Sequence, residues 1–257
     1  MNLHLENKLF LVGGATSGLG KAILEQLIAE GAKVIAVART EQKLENLKAT
    51  HEKIEVVSGD LSEESVLEKV MSKIGDRILT GAVINSGGPP AMPVLDTKLS
   101  DWDDAYRNVV RWKIALTQAL LPKMLENNYG RLLYIESVSV KQPVENLVLS
   151  NSMRLAVVGY VKTLSQEVGT SGVTFNILGP GYHSTQRMEN LFKKNSELKG
   201  IPEAEIRSTF AEQTSIGKIG DPKDFASLAV WLLSQHSQYI TGQTISVDGG
   251  LVKGIMG

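Results

Sequence analysis

The chain has 257 residues, 42% of them apolar, and a formal net charge of −1. That length accommodates one α/β domain with a full core, and the balanced charge argues against a nucleic-acid partner or an acidic tail. Cysteine is absent, which excludes disulfides, thiolate metal sites and a cysteine nucleophile. No apolar run approaches the roughly 18 residues that a membrane helix needs. The first residues lack a basic region followed by an apolar core. A cytoplasmic protein with no membrane partner is therefore expected.

Short apolar runs alternate with amphipathic stretches along the whole chain. Strands are expected at 9–13, 33–38, 54–58, 81–85, 131–135, 174–178 and 244–247. They are β-branched or leucine-rich and too apolar to alternate, as in a parallel sheet covered on both faces. Helical patterns lie between them at 18–30, 41–49, 63–74, 101–126, 151–168 and 222–233. This alternation predicts a doubly wound α/β fold: one parallel sheet of about seven strands within a single domain over 1–257. The stretch 182–220 breaks the rhythm. It is polar and helix-prone, and it leaves the strand ends where open α/β sheets bind ligands, so it reads as a lid or as a plain surface excursion.

The first strand runs into Gly13-Gly14-Ala15-Thr16-Ser17-Gly18-Leu19-Gly20 and then into a helix. A strand aimed at a helix N-terminus presents free amides and a positive dipole end to a phosphate. Glycine allows the tight turn and the close approach of a pyrophosphate. The second strand ends in Arg39, which suits the 2′-phosphate of NADP where an acid would suit NAD; its alternative is a solvated strand end. The third leads to Asp60-Leu61, where Asp60 meets an adenine amino group or caps the following helix. The fourth ends Asn85-Ser86-Gly87-Gly88-Pro89-Pro90, glycines for close approach and prolines for stiffness.

These segments, with Asn176-Ile177-Leu178-Gly179-Pro180-Gly181, Thr185 and the tail from Ile240 to Gly250, resemble the short-chain dehydrogenase/reductase family, nearest to its 3-oxoacyl-acyl-carrier-protein reductases. The resemblance covers nearly the whole chain and implies a Rossmann-like fold binding NADP(H) in preference to NAD(H). It implies cofactor contacts from Gly14, Thr16, Ser17, Gly18, Leu19, Gly20, Arg39, Asp60, Leu61, Asn85 and Gly87. Pro180, Gly181 and Thr185 would hold the carboxamide side of the nicotinamide. It also implies a small-molecule carbonyl or acyl-thioester substrate, and a homodimer or homotetramer joined through the two long central helices. Gly13 stands where the family usually has threonine, and Ile84 where it often has asparagine.

The catalytic end departs from the pattern. The family uses a serine, a tyrosine thirteen residues on and a lysine four further, helped by an asparagine on the preceding long helix. Here Ser137 matches the serine, but Ser150 and Arg154 occupy the tyrosine and lysine positions, and Val109 falls where the asparagine belongs. Asn108 is one residue off and turned roughly 100° away. Positions 150 and 154 still share a helical face. Arg154 keeps a cation for the ribose and for developing charge, yet its pKa above about 12 prevents ready proton exchange. Ser150 keeps a hydroxyl without the acidity of a phenol.

Tyr182 and His183, just past the Pro180-Gly181 turn, are the stand-in acids; otherwise Tyr182 packs under the lid and His183 is solvated. Lys113 lies one turn beyond Val109 and either restores polarity or keeps its head in solvent. Glu136 faces the opposite side of the strand from Ser137 and reads as structural. The expected function is thus an NADP(H)-preferring oxidoreductase with an altered proton-donor set, Ser137, Ser150, Arg154 and Tyr182. A catalytically degenerate dinucleotide-binding protein, serving as sensor or supporting subunit, is the rival. Epimerisation or dehydration on the same fold is a third reading.

Overall fold

Seven parallel strands form one sheet in the order β3-β2-β1-β4-β5-β6-β7, seen in a computed structural model that describes residues 1–255. Residues 256 and 257 of the expected domain lie outside the described residues. The strands are β1 (Leu9–Gly13), β2 (Lys33–Ala38), β3 (Ile54–Ser58), β4 (Leu79–Ile84), β5 (Gly130–Ile135), β6 (Val173–Pro180) and β7 (Thr244–Val247). β1, β2, β4, β5 and most of β6 are buried on both faces, which is why their sequences run apolar without alternating.

Helices α1 (Gly18–Ala29), α2 (Glu41–Lys48) and α3 (Glu64–Ile74) connect the first four strands. α4 (Leu99–Ala105), α5 (Trp112–Glu126) and α6 (Val148–Glu167) come next on the α3 face, and α9 (Pro222–Leu232) packs beside α1 on the other. Two cores result. Leu132, Tyr134, Val109, Leu116 and Val157 belong to the core under α3, α5 and α6. Leu133, Ile135, Leu27 and Phe225 belong to the one under α1 and α9. The order reverses beside β1, where β1 lies between β2 and β4, and a crevice opens at the carboxyl ends of these strands.

The expected single helix over 101–126 is interrupted. Residues Tyr106–Arg111 form a π-helical segment between α4 and α5, and the indole Nε1 of Trp112 donates to the Asn108 carbonyl at 2.9 Å. Such a segment widens the helix locally and rotates the faces of α5 relative to those of α4. No glycine or proline marks it in the sequence. α6 begins at Val148, three residues earlier than expected.

Candidate active site

At the cofactor end, the glycine loop is shaped by backbone crowding. A side chain on Gly20 would collide with the Gly14 carbonyl, and one on Gly13 would lie 2.6 Å from the Asn85 carbonyl. The threonine usual at position 13 therefore has no room here. Gly14 adopts φ +62° and Gly18 φ +54°, a region that L side chains avoid. Asn85 Nδ2 donates to the Gly13 carbonyl at 3.2 Å, tying the end of β4 to the loop. Ser17 stands at the N-cap of α1 with no cap hydrogen bond from its side chain, so an exposed hydroxyl and the first amides of α1 face outward together. Across the crevice, Thr185 Cγ2 lies 3.5 Å from where a Gly18 Cβ would be. Thr185 caps α7 (Gln186–Lys199), accepting from the Met188 amide at 3.4 Å. Thr16 and Leu19 sit half-buried on the loop, and Gly87 has open space around it.

Arg39 is exposed and lies 3.9 Å from Asp60. Asp60 Oδ1 accepts from the amide and the hydroxyl of Ser62 at 3.0 and 2.9 Å, a local turn ahead of α3, whose N-cap is Glu63, so Asp60 does not cap that helix. Leu61 is buried against Gly13. At the far side, Pro180 ends β6, and a Cβ on Gly181 would be 2.7 Å from Asp248. This cradle fits a dinucleotide: a loop closed to side chains, an outward helix N-terminus, and a cation at the end of β2.

The catalytic end is organised by an ionic cluster that straddles three elements. Glu136, just past β5, is buried and pairs with both Lys113 of α5 and Arg154 of α6. The Arg154 contact is 2.9 Å to Oε2, with a second bond of 3.0 Å to the Glu136 carbonyl. Arg154 Nε donates to Ser150 Oγ at 3.1 Å. Three donor directions of Arg154 are thus committed to protein, and Nη2 is left for a ligand. Ser137 Oγ accepts from the Ser139 amide at 3.1 Å. Both serine hydroxyls therefore accept one bond from the protein and keep a proton to donate.

Of the expectations at this end, the solvated alternative for Lys113 is the one corrected. Glu136 does face away from Ser137, but the face it points to is where Arg154 and Lys113 arrive, so it holds the guanidinium in place. Lys113 does not keep its head in solvent. It is 2% exposed, and burial pushes its pKa down to about 8, against the opposing pull of Glu136. Asn108 is exposed and Val109 buried, so no amide occupies the asparagine position. The other buried phenol, Tyr134, is fully enclosed, bonded to Thr117 at 2.7 Å, with its pKa raised by burial. It is not a hidden replacement acid.

The lid expectation acquires a structure. α7 and α8 (Glu203–Glu212) pack on each other. Both ends of the excursion are stitched by Gly220 N–H to the Tyr182 carbonyl at 2.9 Å and Ser184 N–H to the Gly220 carbonyl at 2.9 Å. The Tyr182 hydroxyl donates to Gln213 Oε1 at 3.0 Å, and its ring stands edge-on to Phe210. Tyr182 is thus packed under α8 with its hydroxyl bonded to Gln213, which matches the packing alternative for this residue. His183 is not solvated: it is 4% exposed, edge-on to Phe225, and burial lowers its pKa. Sequence reasoning also passed over Arg187, on the first turn of α7, whose Nη1 lies 4.0 Å from where a Gly88 Cβ would be. Its only signal was a cation two residues past Thr185.

Comparison with known proteins agrees with this architecture. A family model described as enoyl-(acyl carrier protein) reductase matches residues 14–252. A 3-oxoacyl-acyl-carrier-protein reductase of Haemophilus influenzae is 30% identical over 96% of this chain and 99% of its own length. The Salmonella typhimurium protein of that name is 29% identical over 97% and 99%. The NADPH-bound actinorhodin polyketide ketoreductase superposes with a TM-score of 0.89 at 26% identity, covering 96% of this chain and 98% of its own. L-sorbose reductase from Gluconobacter frateurii, at 23% identity over 99% and 100%, shares the fold with a TM-score of 0.93. The fold and the glycine-loop crevice define a Rossmann-like nucleotide-binding protein. Within that class, the chain belongs to the short-chain dehydrogenase/reductase family.

Proposed function

We propose that this chain is an NADP(H)-preferring reductase of a carbonyl substrate, with 3-oxoacyl compounds among the candidates, and that it works with a non-standard proton-donor set. The observation that carries this reading is the Ser150 hydroxyl bonded to a fixed cation, Arg154, with its proton left to donate; Ser137 Oγ, which accepts from the Ser139 amide, keeps its proton as well. Its relatives being reductases supports it further.

In this reading the loop from Gly14 to Gly20 takes the diphosphate, Arg39 the 2′-phosphate, and Asn85, Gly87, Pro180, Gly181 and Thr185 frame the nicotinamide end. The bound cofactor supplies a hydride to the carbonyl carbon. Ser137 and Ser150 donate to the carbonyl oxygen, and Arg154 stabilises the negative charge that builds there. The proton that completes the alcohol comes from water through the Ser150 hydroxyl. Lacking a positioned phenol, turnover should be slower than with one by a factor of about 10² to 10⁴.

The test is NADPH oxidation against a panel of ketones and 3-oxoacyl thioesters. Arg154→Ala should lower kcat/KM by about 10² or more, and Arg39→Ala should narrow the preference for NADPH over NADH. A Ser150→Tyr, Arg154→Lys double variant should gain generic ketone reduction. Saturable NADPH binding with no turnover on any substrate would instead establish the degenerate binding protein.

A further inference from the structure

We propose that Arg154 and Arg187 form a two-guanidinium clamp across Gly88 that takes the carboxylate of the substrate, so that the carbonyl compound reduced is an oxo-acid. The inference rests on the reductase reading, because Ser150 marks the reacting carbonyl.

The geometry is a convergence over a missing side chain. A methyl group on Gly88 would lie 2.8 Å from Arg154 Nη2 and 4.0 Å from Arg187 Nη1. Two cations from α6 and α7 therefore approach a single half-buried glycine, where a larger residue would crowd the Arg154 guanidinium. The cluster is not neutral: Glu136 is the carboxylate paired with Lys113 and Arg154, and Arg187 has no hydrogen bond or ion pair among the described residues.

Arg187 is also placed where the empty protein works against it. It occupies the first turn of α7, the end at which the helix dipole disfavours a cation. The acid of that same turn, Glu189, faces Arg207 at 3.0 Å. Partial burial and the nearby Arg154 lower the pKa of Arg187. Nothing in the fold stabilises the charge at that spot, as expected for a group held for an anion. A planar carboxylate matches paired guanidinium forks. Arg154 is bonded to Ser150, so the Arg154 side of the clamp sits at the reacting end. A short oxo-acid, its carboxylate one or two carbons from the carbonyl, is the substrate class this arrangement would take.

The experiment titrates NADPH-loaded protein with oxamate and malonamate, which carry a carboxylate beside a carbonyl that hydride does not reduce. Their neutral diamides, oxamide and malonamide, are run in parallel, and quenching of bound NADPH fluorescence is read. At least one acid should bind about tenfold or more tightly than its diamide. Arg187→Ala should abolish that difference, Arg187→Lys should recover part of it, and the Kd for NADPH should stay within about twofold. Equal binding of acid and diamide, or binding of neither, overturns the clamp. A large rise in the NADPH Kd of Arg187→Ala also overturns it and assigns the pair to a cofactor phosphate. The reductase reading fails on different evidence: NADPH that binds but is not turned over with any substrate, while the acid titration still reports on the clamp.

Discussion

Glu136 is the residue on which the altered site turns. A carboxylate with no exposed side-chain surface sits between a lysine and an arginine, and removing one member of a buried ionic cluster leaves the others uncompensated. Glu136→Gln should cost about 3 to 5 kcal/mol, roughly 10 °C in Tm for a chain of this size, as read by calorimetry. It should also release Arg154 and depress turnover. Lys113 gives the cluster a pH response. Its pKa near 8 lies below that of an unfolded lysine, so the unfolded chain holds the extra proton between about 8 and the ordinary lysine range. Stability from this group is accordingly lost as pH falls through 8 and fully present only above the unfolded value. The field on the substrate runs the other way. Above pH 8 the cluster loses one positive charge, so kcat/KM should fall as pH rises through about 8. In Lys113→Met that fall should flatten, whereas an unchanged profile would remove Lys113 from the account.

At the scale of elements, α7 and α8 are held to each other by partly exposed contacts. Arg207 of α8 bonds Glu189 at 3.0 Å and Ser184 at 3.2 Å and lies over the Phe192 ring. An exposed ion pair of this kind contributes up to about 1 kcal/mol, so Arg207→Ala should raise the population in which α8 has parted from α7 roughly fivefold. Trypsin cleavage at Lys193, Lys194 or Lys199 reads that population, and equal rates in variant and wild type would mean that Arg207 does not hold α8 on α7. The π-helical segment belongs at this scale too. It separates α4 from α5, and it places the buried Lys113 on the first turn of α5, where a side chain reaches Glu136.

For the molecule as a whole, the resemblance implies a symmetric oligomer through the long central helices. Leu155, Ala156 and Gly159 expose a small, apolar strip on α6, with Leu155 49% exposed. Light scattering should return two or four times the mass of one chain, and Leu155→Glu should shift it toward the single chain. A monomer at micromolar concentration would refute this. Among the described residues no helix is long and apolar enough to cross a membrane.

β1, β2, β3 and β7 fall on the residues that local pattern assigns them, because a buried parallel strand needs continuous apolar residues and little else. The glycine loop was equally legible: its demands on backbone angle and space are met by glycine almost alone. So was the replacement of the phenol and the ammonium by Ser150 and Arg154, since spacing along one helix is a sequence property. β6 runs two residues further than its apolar stretch, for Gly179 and Pro180 pair with Ser246 and Val247, partners more than sixty positions away. The same reason hid the ionic cluster. Lys113, Glu136 and Arg154 stand on three separate elements, and a charged side chain reads as solvated until folding closes apolar layers around it. Whether Arg187 faces water or a second guanidinium was decided only when α7 came back over Gly88.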